Sequence, residues 1–264
     1  VMTVSNVGVV QATGTVPDDP EIIGAAVTGV SPVEPASANI TAGNAADFTW
    51  IYRTTGATGN AVITCRARSL GEASDDISSG NTNTITVYAD PVLSQQVFIS
   101  AGPVSVGQRI TIRMNVTNTG GSTAEGVAPS APVKLGTGNF DLISGPLPVS
   151  QNIAAGANAW FTWTYSASAT GNIGANINAA GYAQYSKVTV TSSPTSSPFI
   201  DIQAPAQLSA GIYGPSFVTI GQEFRVFMVV TNTGGAAALG VTPTAMIQTG
   251  TGGAVYIDGQ APGW

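Results

Sequence analysis

The phrase Met114-Asn-Val-Thr-Asn-Thr-Gly-Gly121 returns as Met228-Val-Val-Thr-Asn-Thr-Gly-Gly235, 114 residues further on. A worn copy, Met2-Thr-Val-Ser-Asn-Val-Gly8, lies 112 residues before the first. A second phrase keeps nearly the same spacing, since Phe48-Thr-Trp-Ile-Tyr52 reads against Phe161-Thr-Trp-Thr-Tyr165, 113 residues apart. Two unrelated phrases recurring at one period mean tandem domains of one kind. Repetition also bears on function. An array sets length and spacing, whereas chemistry usually sits in a single unrepeated site.

The repeated phrases read as strands. Ile110, Ile112, Met114 and Val116 share one face, and Thr111, Arg113, Asn115 and Thr117 share the other, the period-two pattern of a half-buried strand. Phe224, Val226, Met228 and Val230 repeat the inward set in the third unit. The following Asn118-Thr-Gly-Gly121 and Asn232-Thr-Gly-Gly235 read as turns, because Asn and Gly tolerate positive φ. Phe161, Trp163 and Tyr165 point one way, with Thr162 and Thr164 opposite. No window of helical period survives among the glycines and β-branched residues. The expected fold is therefore all-β: tandem immunoglobulin-like antiparallel sandwiches of about seven strands in roughly 100 residues each.

Unit boundaries are expected at Asp90-Pro91 and within Ser192-Ser-Pro-Thr-Ser-Ser-Pro198, a proline-stiffened spacer. The last strand of the middle unit is read as Lys187-Val-Thr-Val190, the counterpart of Thr84-Ile-Thr-Val87. Residues 1–91 then form a repeat lacking its first strands, 92–196 a complete repeat, and 197–264 one lacking its last strands. Val1 aligns with Arg113 and Trp264 with Ser150, so both ends fall inside a repeat. The expectation is a window onto a longer polypeptide rather than head-to-tail strand exchange, which would duplicate strands already present.

Composition narrows the function. Charged residues are 8% of the chain, against roughly 25% in ordinary soluble domains. No run approaches the ~18 apolar residues of a spanning helix. Net charge is −6, with two lysines and no histidine, whereas nucleic-acid grooves need clustered Lys and Arg. A surface solvated by Ser, Thr, Asn and Gly suits an exported microbial protein. The single cysteine, Cys65, leaves the redox compartment open, and no signal peptide precedes Val1.

Few residues invite chemistry. Trp50 and Trp163 could form sugar platforms, but their place in a repeated Phe-x-Trp-x-Tyr strand marks them as core. Trp160 has the opposite parity and is the more exposed ring, replaced by Asp47 in the first unit. Cys65 alternates with Ile63 and Ala67 and has no histidine to activate it, so a buried inert thiol is expected. Asp18, Asp19 and Glu21, and Glu72, Asp75 and Asp76, are the acidic clusters a calcium ion would use. They do not recur between repeats, and solvated loops are expected. A Lys–Asn isopeptide could use only Lys134 or Lys187, and neither recurs. Asn39 and Asn115 open glycosylation triplets, with Asn115 facing outward. No cofactor site and no catalytic constellation is expected.

One asymmetry suggests contact. The outward Arg113 and Asn115 of the second repeat become Phe227 and Val229 in the third. Such a stripe invites a partner, or is covered by a loop or strand of its own unit.

The sequence Val-Thr-Asn-Thr-Gly-Gly-x-x-Ala, followed by Gly156-x-x-x-x-Phe-Thr-Trp163, resembles the CARDB-like (cell-adhesion-related) repeats of bacterial and archaeal surface proteins. The resemblance covers nearly the whole chain, with a departure at Val7-Gly8-Val9, where Asn-Thr-Gly-Gly is expected. It implies extracellular immunoglobulin-like modules strung into stalks, sheaths, filaments or adhesins, without catalysis. Expected partners are other copies of the repeat protein, with cell-surface or glycan contact, no nucleic acid and no membrane span. The alternative function is a carbohydrate-binding or adhesive module, which would cluster exposed aromatics on one face.

Overall fold

The computed structural model describes residues 1–24, 27–29, 31–70 and 77–255, among which every regular element is a strand. No helix is long and apolar enough to cross a membrane. Along the first unit run β1 (Met2–Ser5), β2 (Ala12–Pro17), β3 (Glu21–Gly24), β4 (Val27–Gly29), β5 (Ala38–Ile40), β6 (Ala45–Phe48), β7 (Tyr52–Thr54), β8 (Gly59–Ser69), β9 (Ile77–Asn81) and β10 (Ile85–Val87). The middle of the chain carries β11 (Leu93–Ile99), β12 (Val104–Ser105), β13 (Arg109–Asn118), β14 (Ala124–Pro129), β15 (Val133–Gly136), β16 (Asn139–Leu147) and β17 (Gln151–Ile153). It continues with β18 (Asn158–Ala169), β19 (Gly171–Ile177), β20 (Ala179–Ala183), β21 (Thr189–Thr191), β22 (Thr195–Ser196) and β23 (Ile200–Gln203). Last come β24 (Leu208–Tyr213) and β25 (Phe227–Asn232).

Alternation builds the middle sandwich. On β13, Ile110, Ile112, Met114 and Val116 are fully buried, while the residues between them face out. On β18, Ala159, Phe161, Trp163 and Tyr165 turn inward. One sheet has the order β11-β13-β18-β16. The other is formed by β12-β23-β19-β15 together with β17-β14-β20-β21, joined through the β19–β20 run. Ile173, Ala175 and Ile177 of β19 and Ala124 and Val127 of β14 meet the inward face of the first sheet in one core, with Phe140 edge-on to Tyr165. This is the all-β sandwich that the alternation predicts.

The pairing repeats with the phrases. Met2 faces Phe48 across β1–β6 as Met114 faces Phe161 across β13–β18. Leu93 faces Asn118 across β11–β13 as Leu208 faces Asn232 across β24–β25.

The second boundary differs from the expected one. β23 pairs antiparallel with β19 and parallel with β12, and Ile202 is a core residue of the middle sandwich. Residues 197–203 thus belong to the unit expected to end at 196. The counterpart of Thr84–Val87 is not Lys187–Val190 but the run ending at Ile202: Val87 faces Gly59 as Ile202 faces Gly171. The Ser/Pro stretch is an interior crossing rather than a spacer. Pro194 and Pro198 cannot donate to a ladder, and two buried serines supply the missing bonds. Ser192 Oγ accepts from the Ala179 N–H at 2.8 Å, and Ser197 Oγ accepts from the Ala175 N–H at 3.0 Å.

Candidate functional site

Asn118 closes β13 and is fully buried. Its Nδ2 donates to the Ser122 and Ile153 carbonyls at 2.8 and 2.9 Å, and its Oδ1 accepts from the Gly120 and Val92 N–H groups at 3.0 and 3.2 Å. Both donors and both lone pairs of the amide are used. The side chain therefore ties the turn, β17 and the start of β11 together. Asn232 repeats the arrangement, donating to the Ala236 carbonyl at 2.8 Å and accepting from Gly234 and Gln207 at 3.0 and 3.1 Å. Asn6 donates to Val10 and Ile40 at 2.7 and 2.9 Å and accepts from Gly8 at 3.0 Å.

The glycines of this turn serve a different purpose from the expected one. Neither Gly120 nor Gly234 adopts positive φ. A Cβ on Gly120 would lie 2.3 Å from the Asp90 carbonyl oxygen, and one on Gly234 would lie 2.1 Å from that of Pro205. Glycine is required because the preceding linker backbone crosses directly over the turn. At the first crossing, Ser186 Oγ donates to Asp90 Oδ1 at 2.8 Å and Tyr88 stacks on Tyr185 with centroids 4.8 Å apart. Alternation could not reveal this socket. The recurrence of Ala89 and Ala204 at equal distance before the two Asn-Thr-Gly-Gly turns was the available signal.

The stripe expected at Phe227 and Val229 is exposed, at 59% and 48%. The inward-reading Met228 and Val230 are also exposed, at 46% and 38%, so exposure does not set the two faces of β25 apart. Phe227 stacks on Tyr213 across the strand pair, with centroids 5.5 Å apart.

At the matching register in the middle sandwich, Phe98 faces Arg113 and Asn115 faces Trp160. The Arg113 guanidinium lies over the Trp160 ring, 4.4 Å from its centroid. Phe98 flanks that ring at 5.7 Å. Trp160 is thus one member of a cluster rather than a lone ring. Asn115 is half-buried rather than freely presented, and its Oδ1 is shielded without a hydrogen-bond partner.

The other sequence candidates have structural surroundings. Trp163 is 1% exposed, and Trp50 packs half-buried against a smaller core of Val4, Ile40, Phe48 and Ala67. Cys65 is buried, and desolvation pushes its thiol up. Asp18 pairs with Arg68 at 3.5 Å. Asp19 and Glu21 stand beside it in sequence, whereas Glu72, Asp75 and Asp76 lie outside the described residues. The carbonyl of Asn39 accepts from the Gly14 N–H at 2.7 Å, as Asn152 does from Gly126 at 2.7 Å. Asn39 thus holds a repeated turn.

The structure does bring an isopeptide-type trio together. Lys134 Nζ donates to Asn139 Oδ1 at 2.8 Å and lies 3.6 Å from Asp141 Oδ1. Ammonia displacement needs a neutral amine and a protonated acid. Here the Lys134 and Asp141 side chains are 45% and 64% exposed. The Ser168 hydrogen bond, then Lys134, hold the Asp141 carboxyl below its usual range. The trio is an ion pair with an amide between its charges. Lys187 pairs instead with Glu125, at 2.7 Å.

No protein-family model matches the sequence, and no curated protein matches it.

Proposed function

We propose that this chain is a structural segment of an extracellular tandem-repeat surface protein, whose immunoglobulin-like sandwiches form a stalk, sheath or filament. The CARDB-like resemblance of its turn and Phe-Thr-Trp strand supports that reading. So does the sparsely charged surface, rich in hydroxyls and amides. The observation that carries it is the twice-built socket in which a linker crosses Gly120 or Gly234 and bonds to Asn118 or Asn232. A linker fastened to the unit it enters leaves little free chain at the joint. Successive units then keep a fixed spacing, as a stalk needs. Its partners are other copies of the same protein, and it carries no catalytic role.

The test is surface labelling of the producing cells with an antibody raised against this chain, followed by negative-stain electron microscopy. Gold is expected on extended surface structures of intact cells, and brief external protease treatment should remove it. Label that appears only after the cells are permeabilised would defeat this reading.

A further inference from the structure

We infer that the outward face of the β11–β13–β18 sheet binds a carboxylate-bearing saccharide chain, with Trp160 as the stacking platform and Arg113 and Arg109 as the cationic contacts. This function goes beyond the structural role proposed above.

The platform is pre-set by the fold. Arg113 occupies one face of the indole at 4.4 Å, and Phe98 stands at its flank, 5.7 Å away and tilted 39°. The two rings remain 39% and 42% exposed. A held ring with a solvent-facing surface suits the C–H face of a pyranose, which stacks on aromatic carbon while its hydroxyls stay free to bond. A guanidinium lying flat on a ring keeps its N–H groups directed outward in its own plane. That is the geometry in which arginine takes a carboxylate.

Charge selects the kind of saccharide. The chain carries −6 overall, with eight Lys and Arg residues. Two of these, Arg109 and Arg113, stand on the outward face of β13, about 13 Å apart along the strand. No Asp or Glu occupies any position of β11, β13 or β18. The ion pairs among the described residues use Arg68, Lys134 and Lys187 instead. A cationic strip kept clear of acids on an acidic protein complements an anionic ligand. A polyphosphate backbone fits less well, because two arginines release few counterions.

Beside the rings, a hollow of about 230 Å³ is lined by Ser94, Gln96, Asn115, Thr117 and Thr119. These hydroxyls and amides are the partners sugar hydroxyls require. Asn115 also brings a shielded carbonyl oxygen that lacks a partner, a state buried polar groups seldom keep.

The site is unrepeated. Asp47 stands at the Trp160 position of the first unit and accepts a hydrogen bond from Thr3. Phe227 and Val229 stand at the Arg113 and Asn115 positions of the third. Recognition is thereby confined to the middle sandwich.

Calorimetric titration of the full chain with oligogalacturonate, and with neutral cello-oligosaccharide of equal length, tests the assignment. Saturable binding of the acidic sugar is expected, weakening as salt rises. Trp160→Ala and Arg113→Gln should each weaken it by roughly tenfold or more. Trp160→Phe should retain part of the affinity, and Tyr182→Ala, on the other sheet, all of it. Thermal melts would confirm that each variant is folded. Absence of saturable binding would overturn the proposal, as would unchanged affinity in folded Trp160→Ala. Equal affinity for the neutral sugar, insensitive to Arg113→Gln, would refute the anionic class. Self-association lost in Trp160→Ala, with no sugar bound by the wild type, would assign this face to a second copy instead.

Discussion

A single asparagine side chain determines whether the middle sandwich stays closed at its linker. Replacing Asn118 by Ala would strand the Val92 and Gly120 N–H groups and the Ser122 and Ile153 carbonyls. Each buried orphan costs about 1–3 kcal/mol, so a loss of at least roughly 3 kcal/mol is expected in urea unfolding of the middle unit. Asn6→Ala should cost less, because Asn6 is only half-buried and its Oδ1 accepts a single hydrogen bond. Equal costs would mean that the local turn, rather than the tie to the linker, sets the asparagine's worth. Cys65 gives a second residue-scale prediction. Desolvation raises its thiol above the ordinary value, so less thiolate exists at neutral pH than in a free cysteine. An aromatic disulfide reagent should leave it unmodified in the native chain and react fully in denaturant. Rapid reaction without denaturant would place the thiol at the surface.

At the scale of strands, the unit ends at Gln203 rather than Ser196. A fragment of residues 92–206 is expected to melt cooperatively. A fragment of 92–196 should lose about 3–6 kcal/mol from the missing Ile200 and Ile202 side chains alone. Indistinguishable melts would show β23 to be dispensable. The alternating strands were legible in sequence because burial on one face leaves a period of two, and Ile110 to Val116 and Phe161 to Tyr165 carry it plainly. β23 was not legible, since Pro194, Pro198 and four serines around it carry the composition of a linker. Only the buried side-chain bonds of Ser192 and Ser197 turn that composition into a strand crossing, and such bonds leave no periodic trace. The socket was half legible. Recurrence marked Asn118 and Gly120, but close approach to a segment 30 residues earlier cannot be told from positive φ without coordinates. The Trp160 cluster was hidden for a similar reason. Phe98, Arg113 and Trp160 are scattered along the chain and meet only through the register of three strands.

For the whole molecule, length arises from joints and cohesion from contacts between copies, and Phe227 and Val229 are the residues placed to make such contacts. Replacing both, as Phe227→Arg with Val229→Asn, installs the pair that the middle sandwich carries at the same register, where Arg113 faces Phe98. Tyr213 occupies the Phe98 position opposite residue 227, so the guanidinium finds an aromatic neighbour there too. Residue 229 faces Gly211, which leaves room for an amide. The strand pair should therefore persist, with circular dichroism and the first unfolding transition unchanged. What should change is association. Each apolar side chain withdrawn from a contact between copies contributes about 1–3 kcal/mol, so the double variant should sediment as smaller species at concentrations where the wild type assembles. Electron micrographs should show its filaments shortened or absent. The inward Met228 and Val230 stay in place, so a lost core cannot account for that result. Assembly of unchanged length and stability would mean instead that these two side chains are covered within their own unit, and cohesion would then have to come from another face.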